Sequence, residues 1–463
     1  MFKRFLLTIY IIGAAAWGLT SCSLNIPPQD QFSDPDAVTN VADARSLLAS
    51  AYISYPHFEY EFSLLGNDFC PTSLSVKDLT TLNLYNWQDL ELSKLSPTVW
   101  AGYYATVALC DALLERLPKV VLTSSDDTVE KARIEAETKA LKALCYLQLM
   151  RIYAPAYDKN AEAPGVVIKH FLGLETNERL PLSTCAQYVK TLLDEAEQAD
   201  NPQTRNGWIS QTAVKYLQAE LALYTSRYED AARYAQSIIT DAPQGIFTAD
   251  NLSRLWAQES FEGRIFAFNT NAPVYAALQY SASEGDHYAL NPNLVFNTSD
   301  HRSATYNLSF AMSGQARTLL GKYNMSNKAG RTTAYINCMR YAGAYYIAAE
   351  ALCRIGNTTQ ARTLMNDYWQ QVGHQEAPAN VDNTQMLNLI LHDKQREFAG
   401  EGVNFFDLKR THSAPLPRLS QWGVAQTASI DTDDYRWCLP LPASECRFNA
   451  NAQQNPGWPS YRD

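Results

Sequence analysis

The segment Asp393–Arg410, DKQREFAGEGVNFFDLKR, crowds eight charged side chains among three phenylalanines. Glu397 and Glu401 lie four residues apart, so they share one face of a helix and could suggest an acid–base pair. The carboxyl groups of a glycosidase pair, however, flank a bond from separate elements, roughly 5–10 Å apart across a cleft. Two glutamates on an exposed helix turn beside Arg396 are more typical of ion pairs. The segment therefore predicts a structural role for these three residues and for Asp407.

Two stretches upstream of this segment look like variants of one helix–turn–helix unit. The first pairs Ala213–Tyr224 with Ala231–Thr240, and the second pairs Arg340–Arg354 with Gln360–Val372. In both, one alanine precedes another by 12 positions, as Ala219 precedes Ala231 and Ala349 precedes Ala361. Small residues at this spacing let the two helices of a tetratricopeptide unit approach closely. The recurrence predicts a helical-repeat body, to which Ser183–Ala199 and the helix after Trp208 add a third candidate pair.

Further helices are predicted from apolar positions at three- and four-residue steps. They are Leu47–Tyr55, Trp100–Leu117 and Glu130–Tyr153, with Pro118 and Pro155 ending the last two. Three regions lack a sustained period and are predicted to be irregular: 56–96, 244–333 and 413–463. Within the second region, Ile265–Phe268 is a candidate strand. Long irregular stretches inside a folded domain are usually functional, so 56–96 and 244–333 are the candidate binding regions.

The amino terminus predicts an exported, lipid-anchored chain. Lys3 and Arg4 precede the apolar run Phe5–Leu19, and Leu19-Thr20-Ser21-Cys22 then resembles the lipobox of bacterial lipoproteins. We expect residues 1–21 to be a signal peptide, Cys22 to be acylated, 22–36 to form a tether and 37–463 to form a single domain. The alternative is an ordinary cleaved signal with an accidental cysteine.

Charge and composition narrow the class of ligand. The mature chain of 442 residues would carry 36 basic and 48 acidic residues, a net charge of −12 that argues against nucleic-acid binding. The 27 tyrosines, 17 phenylalanines and 9 tryptophans suit contact with amphipathic ligands such as sugars or peptides, although most are expected in the core. Cys110, Cys145 and Cys353 are predicted to be buried free thiols, whereas Cys438 with Cys446 is a pair to be tested for a disulfide.

Catalytic and metal-binding motifs are missing from the sequence. No HExxH, GxSxG, GxGxxG or GxxxxGK pattern occurs, and the seven histidines have no metal-ligand spacing. No loop has the DxDxDG spacing of a dedicated calcium site, so the sequence does not indicate structural calcium. We therefore expect neither an enzyme nor a bound cofactor or metal.

Taken as a signature, Asp393–Arg410 resembles the SusD/RagB family of Bacteroidetes outer-membrane lipoproteins. Further segments match in the family's order: Leu24–Asp30, Trp100–Leu117, Ala140–Tyr153, Lys322-Tyr323, Arg340–Ala351, Asn366, Trp437–Pro442 and Asn455–Trp458. Three residues depart from its pattern. Asp393 replaces the usual glutamate, Asn404 stands where an arginine is common, and Trp369 interrupts a usually basic turn.

The resemblance implies an all-α fold, with four tetratricopeptide-like helix pairs, long irregular loops and minor β structure. It also implies a non-enzymatic lipoprotein of the outer membrane that binds an oligosaccharide or peptide and acts as the lid of a SusC-like TonB-dependent barrel. The cell surface is the expected face of the membrane, although the first acidic residue after Cys22 is only Asp30. Two alternatives stay open: a tetratricopeptide-type scaffold that binds another protein, and a glycoside hydrolase.

Aromatic and polar residues in the candidate binding regions are the predicted ligand contacts, because flat rings stack on sugars while polar groups bond hydroxyls. The predicted contacts are Tyr85, Trp87, Tyr275, Tyr280, Asp286, Tyr288, Arg302 and Tyr306. For Arg302, within Asp300-His301-Arg302, a salt-bridged turn is the alternative.

Overall fold

Helices form most of the described chain. A computed structural model describes residues 38–72, 78–202, 207–257, 261, 263–269, 288–312, 315–324, 335–413, 417–420 and 430–461. Its α-helices are α1 (Val41–Ser54), α2 (Glu59–Leu65), α3 (Leu79–Tyr85), α4 (Asp89–Arg116), α5 (Ser125–Tyr153), α6 (Leu182–Ala196), α7 (Gln211–Tyr224), α8 (Tyr228–Thr240), α9 (Ala249–Ala257), α10 (Ser303–Tyr306), α11 (Tyr341–Arg354), α12 (Thr358–Gln371), α13 (Asn383–Glu397), α14 (Asn404–Thr411) and α15 (Ala443–Phe448). The predicted Cys22 and the segment 1–36 lie outside the described residues.

Local capping explains why several helices begin earlier than their apolar pattern indicates. Asn40 and Asp43 form a capping box at the start of α1, and the Ser124 side chain accepts the backbone N–H of Asp127 in α5. These polar first turns satisfy free N–H groups but add nothing to the apolar period. The carboxyl-terminal end of α5 falls at Tyr153, where Pro155 predicts it.

The helices pack in an unbroken series along one body. The long antiparallel helices α4 and α5 contact each other, α5 contacts α6, and α6 contacts α7. The series continues from α7 to α8, from α8 to α11, and from α11 to both α12 and α13. Since α8 and α11 are neighbours, the chain between them begins and ends beside the same two helices. We call the described residues between these helices the inserted region.

The predicted helix pairs are confirmed as α7 with α8 and α11 with α12. Ala219, Ala231, Ala349 and Ala361 are all completely buried, as expected for small residues that let paired helices approach. The fold is therefore the all-α helix-pair scaffold that the sequence predicts.

β structure is limited to four antiparallel pairs in the described residues. They are β1 (Phe69–Cys70) with β5 (Ala289–Leu290), β2 (Pro164–Val167) with β3 (Arg179–Pro181), β4 (Arg264–Asn269) with β8 (Tyr335–Arg340), and β6 (Asn307–Met312) with β7 (Gln315–Leu320). The predicted strand Ile265–Phe268 is confirmed as the centre of β4. Since β8 runs directly into α11, the β4–β8 pair carries the inserted residues back to the helical body.

All three regions predicted to be irregular contain regular structure. Region 56–96 holds α2, α3 and the start of α4, region 244–333 holds α9, α10 and strands β4 to β7, and region 413–463 holds α15. Helices α2 and α3 have only seven residues each, too few to show a helical period in the sequence. Their positions are set instead by packing, because Phe62, Leu64, Leu65, Leu84 and Tyr85 all face the core.

The structure tests the predicted state of the cysteines and shows whether a described helix could span a membrane. Cys110, Cys145 and Cys353 are buried and free, as predicted. Cys438 and Cys446 are also free, so the pair does not form a disulfide in this structure. Among the described residues, no helix is both long enough and apolar enough to cross a membrane.

Close helix contact at Gly343 gives a test of the scaffold. A Cβ atom there would lie 1.9 Å from the Tyr216 hydroxyl oxygen of α7. Gly343→Ala should therefore lower the unfolding midpoint in thermal denaturation, although alanine is favoured over glycine in a helix by about 1 kcal/mol. Tyr216→Phe in the same chain should recover part of the loss. A Gly343→Ala protein more stable than the native one would contradict this packing.

Candidate functional site

The signature segment lies at the centre of a buried ion cluster. The guanidinium group of Arg302 is fully buried and contacts three carboxylates: Asp300 at 2.8 Å, Asp393 at 3.0 Å and Glu397 at 3.0 Å. Arg302 belongs to the inserted residues, whereas Asp393 and Glu397 belong to α13. The arginine therefore joins the inserted region to the helical scaffold.

A second set of cations completes the cluster from strand β8 and from residue 322. Arg340 contacts Glu397 at 2.7 Å and Glu401 at 2.8 Å. Lys322 contacts Glu401 at 2.7 Å and donates to the backbone oxygens of Glu397 and Ala399. We call Asp300, Arg302, Lys322, Arg340, Asp393, Glu397 and Glu401 the ion cluster.

Hydroxyl and indole groups also donate hydrogen bonds to the carboxylates of the ion cluster. Tyr306 donates to Glu397 at 2.9 Å and Tyr368 donates to its other oxygen at 3.1 Å. Trp369 donates its indole N–H to Asp393 at 2.6 Å. Two of the three departures from the family pattern, Trp369 and Asp393, are thus direct partners.

Burial and charge act in opposite directions on these carboxylates. Burial alone would raise the pKa of Asp393, but the charges of Arg302, His374 and Arg396 hold it well below its ordinary value. The pKa of Glu397 is likewise lowered, because Arg340 and Arg302 outweigh its desolvation. Both carboxylates are therefore ionised, fully hydrogen-bonded and unable to donate a proton to a substrate.

The structural role predicted for the signature residues is confirmed, but their surroundings differ from the prediction. Glu397 and Glu401 are buried rather than exposed, and their partners are Arg302 and Arg340 instead of Arg396. Arg396 contacts Asp393. These partners lie 57 to 95 residues away in sequence, so a local pattern cannot identify them.

A second assembly gathers segments from five parts of the chain beside the scaffold. It comprises residues 64–72, 78–88, 288–291, 307–320 without 313–314, and 417–420, and we call it the loop platform. Arg418 holds its centre by donating to the backbone oxygens of Leu64 and Leu65, both at 2.7 Å. The Arg418 guanidinium also lies 4.6 Å from the centre of the Tyr85 ring.

Strand pairing and a small apolar cluster join the other segments of the loop platform. Strand β1 pairs with β5, and the Asn291 N–H donates to the Asp68 backbone oxygen at 2.8 Å. Cys70, Ala289 and Leu319 then form a buried cluster separate from the main core. The β6–β7 hairpin therefore rests on the β1–β5 pair.

Asp68 connects the loop platform to the signature segment. Its carboxylate accepts the Gly400 N–H at 2.9 Å and the Asn404 side-chain N–H at 2.7 Å. Asn404, which replaces a common arginine of the family, thus has a specific partner. Complete burial raises the pKa of Asp68 to about 6 despite these hydrogen bonds. The loop platform and the ion cluster are therefore fixed by the same short segment.

Five predicted ligand contacts lie in the interior of the protein. Tyr85 and Trp87 are completely buried under Arg418, and Tyr288 and Tyr306 are at most 6% exposed. Arg302 is buried in the ion cluster, where it forms the salt-bridged turn considered as its alternative. In this structure these side chains build the site and do not face solvent, which corrects their assignment. Tyr275, Tyr280 and Asp286 lie outside the described residues.

Sequence analysis missed the residues that the loop platform presents at its surface. Phe310 and Arg317 are partly exposed, and they pair directly across the β6–β7 hairpin. The hairpin has its own sequence signal in the dipeptide Ser313-Gly314, which separates the two six-residue strands. That signal was hidden inside region 244–333, which shows no sustained period as a whole.

A cavity of about 110 Å³ also lies between the helices and the signature segment. Tyr224 and Gln148 line it, and each has a buried side-chain oxygen without a hydrogen-bond partner in the protein. Such a polar cavity is suited to ordered water. Within the described residues, no group of histidine, cysteine or carboxylate side chains is arranged to hold a metal ion.

Comparison with known proteins finds the same fold in solved structures. A candidate sugar-binding protein from Bacteroides vulgatus is 19% identical with a TM-score of 0.77, covering 91% of this chain and all of its own. A SusD superfamily protein from Bacteroides thetaiotaomicron is 22% identical with a TM-score of 0.74, covering 90% of this chain and all of its own. A SusD-like carbohydrate-binding protein from Bacteroides vulgatus is 16% identical with a TM-score of 0.69, covering 89% of this chain and 97% of its own.

The sequence itself also matches a family model. Residues 256–458 match the model of the SusD family, and this range contains the signature segment and all seven residues of the ion cluster. A comparison with curated protein sequences finds no match. The match over residues 256–458 supports the resemblance to the SusD/RagB family that the signature segment carries, and the solved structures share the fold of this chain.

Removal of one charge should show how strongly the ion cluster stabilises the fold. Arg302→Met leaves three carboxylates with fewer donors, and breaking a buried pair in this way costs about 3–5 kcal/mol. Urea unfolding should give a loss of that size. The matched control is Arg233→Met, which removes an exposed ion pair with Asp230 and should cost at most about 1 kcal/mol. Equal losses in the two variants would contradict the account.

The lowered pKa of Asp393 predicts a pH-dependent contribution to stability. A carboxyl group whose pKa is lower in the folded than in the unfolded state stabilises the folded protein at pH values above the unfolded-state pKa of about 4. That contribution to stability is lost as the pH falls towards the folded-state pKa. The difference in unfolding free energy between the native protein and Asp393→Asn should therefore be largest near pH 7 and shrink below about pH 4. Denaturant titrations across this range measure it, and a difference independent of pH would exclude an ionised Asp393.

Proposed function

We propose that the protein is a nutrient-binding lipoprotein that captures an oligosaccharide on the loop platform and passes it to a SusC-like TonB-dependent barrel. The loop platform carries this proposal. It gathers aromatic and polar residues on a surface that buried arginines and a rigid helical body hold in place. Preorganised loops on a rigid scaffold are well suited to binding without any chemical step.

Support for a sugar as the ligand comes from two sources. Phe310 and Arg317 are paired in register and partly exposed, and an aromatic ring and a guanidinium group are side-chain types that suit the apolar face and the hydroxyls of a sugar. Solved relatives with the same fold are described as carbohydrate-binding or as candidate sugar-binding proteins. A peptide remains the second class of ligand for the same surface.

A hydrolytic function has less support. The carboxylate pair considered from the sequence, Glu397 and Glu401, is buried and bound by Arg302, Arg340 and Lys322. A general acid needs a raised pKa and access to the bond that breaks, whereas Glu397 has a lowered pKa and no exposure. The proposal is therefore a binding protein without catalysis.

The proposed membrane attachment and transporter partner are supported by the lipobox-like sequence and by the resemblance to the family. The predicted acylation at Cys22 would hold the chain on the outer membrane, and the family implies the barrel as its partner. Purification of the complex from the native membrane tests the partner, because a TonB-dependent barrel should copurify. Recovery of a different protein in its place would favour the scaffold alternative.

The ligand class is tested by glycan binding. The protein is applied to an array of plant, fungal and host polysaccharides, followed by isothermal titration with the strongest binder and by analysis of that glycan for cleavage. Binding without cleavage is the expected result. Cleavage products would support the hydrolase, and failure to bind any glycan or peptide would contradict the proposal.

Side chains at the surface of the loop platform should control affinity. Phe310→Ala and Arg317→Ala should each weaken binding of that glycan about tenfold, equivalent to about 1.4 kcal/mol, because each removes one direct contact. Isothermal titration measures the change. Phe448→Ala, an exposed aromatic residue on α15, is the matched control and should bind as the native protein does. Unchanged affinity in both platform variants would place the site elsewhere.

A further inference from the structure

The loop between β2 and β3 presents apolar side chains to solvent at its tip. Phe171 and Leu172 are about half exposed, at 51% and 45%, and Leu174 is fully exposed. Three such side chains within four positions differ from the single exposed apolar residues that are normal on a protein surface. The tip is therefore a candidate contact surface.

Hydrogen bonds fix the backbone of this loop. The Glu175 carboxylate accepts the N–H groups of His170 at 3.0 Å and Phe171 at 3.2 Å. The Glu115 carboxylate, in the last turn of α4, accepts the Leu172 N–H at 2.6 Å. Lys169 closes the loop by donating to the Gly173 oxygen. The polar groups of the loop thus bond to one another and to α4, while the apolar side chains point outwards.

More exposed apolar residues lie at the same end of α4. Val121 and Leu122 follow α4 after one short 3-10 turn, and Val129 lies near the start of α5. We call Val121, Leu122, Val129, Phe171, Leu172 and Leu174 the apolar end. Other large exposed apolar side chains are scattered singly, such as Leu90 at the opposite end of α4, Ile53 and Leu389.

The described chain begins at this end of the molecule. The Val121 N–H donates to the Thr39 backbone oxygen at 2.9 Å, next to the first described residue, Val38. The segment that would connect the body to a lipid at Cys22 therefore joins the body beside Val121 and Leu122.

The loop platform lies at the opposite end of α4. Trp87 of the loop platform immediately precedes the helix, whereas Glu115 and the apolar end lie at its last turn. A helix of 28 residues is about 42 Å long. The two surfaces are thus separated by roughly the full length of the body.

The geometry points to the apolar end as a docking surface for the lipid bilayer, with its apolar side chains inserted in the interfacial region. The inference rests on the lipid anchor of the proposed function. Residues 22–37 could extend to about 55 Å, so a tether alone would not fix the orientation of the body. Insertion of the apolar end would restrict the orientation of the body relative to the membrane.

A bilayer is favoured over a protein partner by the position of the tether and by the chemistry of the tip. Because the tether would join the body beside Val121, the predicted acyl chains and the apolar end would reach the same membrane surface. The nearby carboxylates of Glu115 and Glu175 accept backbone N–H groups of the loop, and the tip presents its three apolar side chains to solvent. Apolar insertion beside a lipid anchor supplies the second attachment that a stable peripheral contact requires.

Vesicle binding by the mature chain, residues 22–463 produced without acylation, tests this inference. Cosedimentation with pure phosphatidylcholine vesicles excludes charge attraction. The native chain should partition measurably, and Phe171→Ser/Leu172→Ser/Leu174→Ser should lower the partition coefficient by about tenfold or more. The matched control, Ile53→Ser/Ile355→Ser/Leu389→Ser, should partition as the native chain does. Unfolding midpoints establish that each variant is folded.

Two outcomes of the vesicle assay would overturn the inference: no partition of the native chain, or equal partition of the two triple variants. It would also be overturned if the Phe171→Ser/Leu172→Ser/Leu174→Ser variant kept its partition and lost only its copurification with a barrel protein. Glycan binding measured on the same samples separates this test from that of the proposed function. Loss of partition with intact glycan binding supports docking by the apolar end. Absence of glycan binding from every sample would count against the proposed function alone.

Discussion

The carboxylate of Glu397 receives four donors inside the protein, and the rest of the structure depends on this arrangement. Arg302 and Tyr306 come from the inserted region, Arg340 from the strand that returns to the scaffold, and Tyr368 from a paired helix. An ion left without its partners in such a position costs several kcal/mol. The cluster is therefore stable only when all of these segments are in place, which makes the inserted region and the helical body dependent on each other.

This dependence explains how an irregular region can serve as a binding surface. The loop platform has short strands and little apolar area of its own, so it could not hold its shape alone. Arg418 and Asp68 attach it to backbone groups of α2 and of the signature segment. The same segment contributes Glu397 and Glu401 to the ion cluster. Surface loops can thus vary in sequence while their anchoring points stay fixed.

Local chemistry accounts for what the sequence could predict. Proline ended α5 at the expected residue, and alanines 12 positions apart identified both helix pairs, because these effects act within a turn or between adjacent helices. The site was harder to predict. Tyr85, Trp87 and Arg302 lie in segments without a period, so nothing in the sequence shows that their side chains turn inwards. Their partners are far away in the chain, and only the folded structure brings them together.

Hydrogen–deuterium exchange with and without a bound oligosaccharide tests the central claim most directly, because it locates the surface that binding protects. The account predicts slower exchange in the loop platform, at residues 64–72, 288–291, 307–312, 315–320 and 417–420. It predicts no change in the helix pairs Gln211–Thr240 and Tyr341–Gln371. Protection centred on those helix pairs, with the loop platform unchanged, would contradict the account and favour a scaffold that binds through its helices.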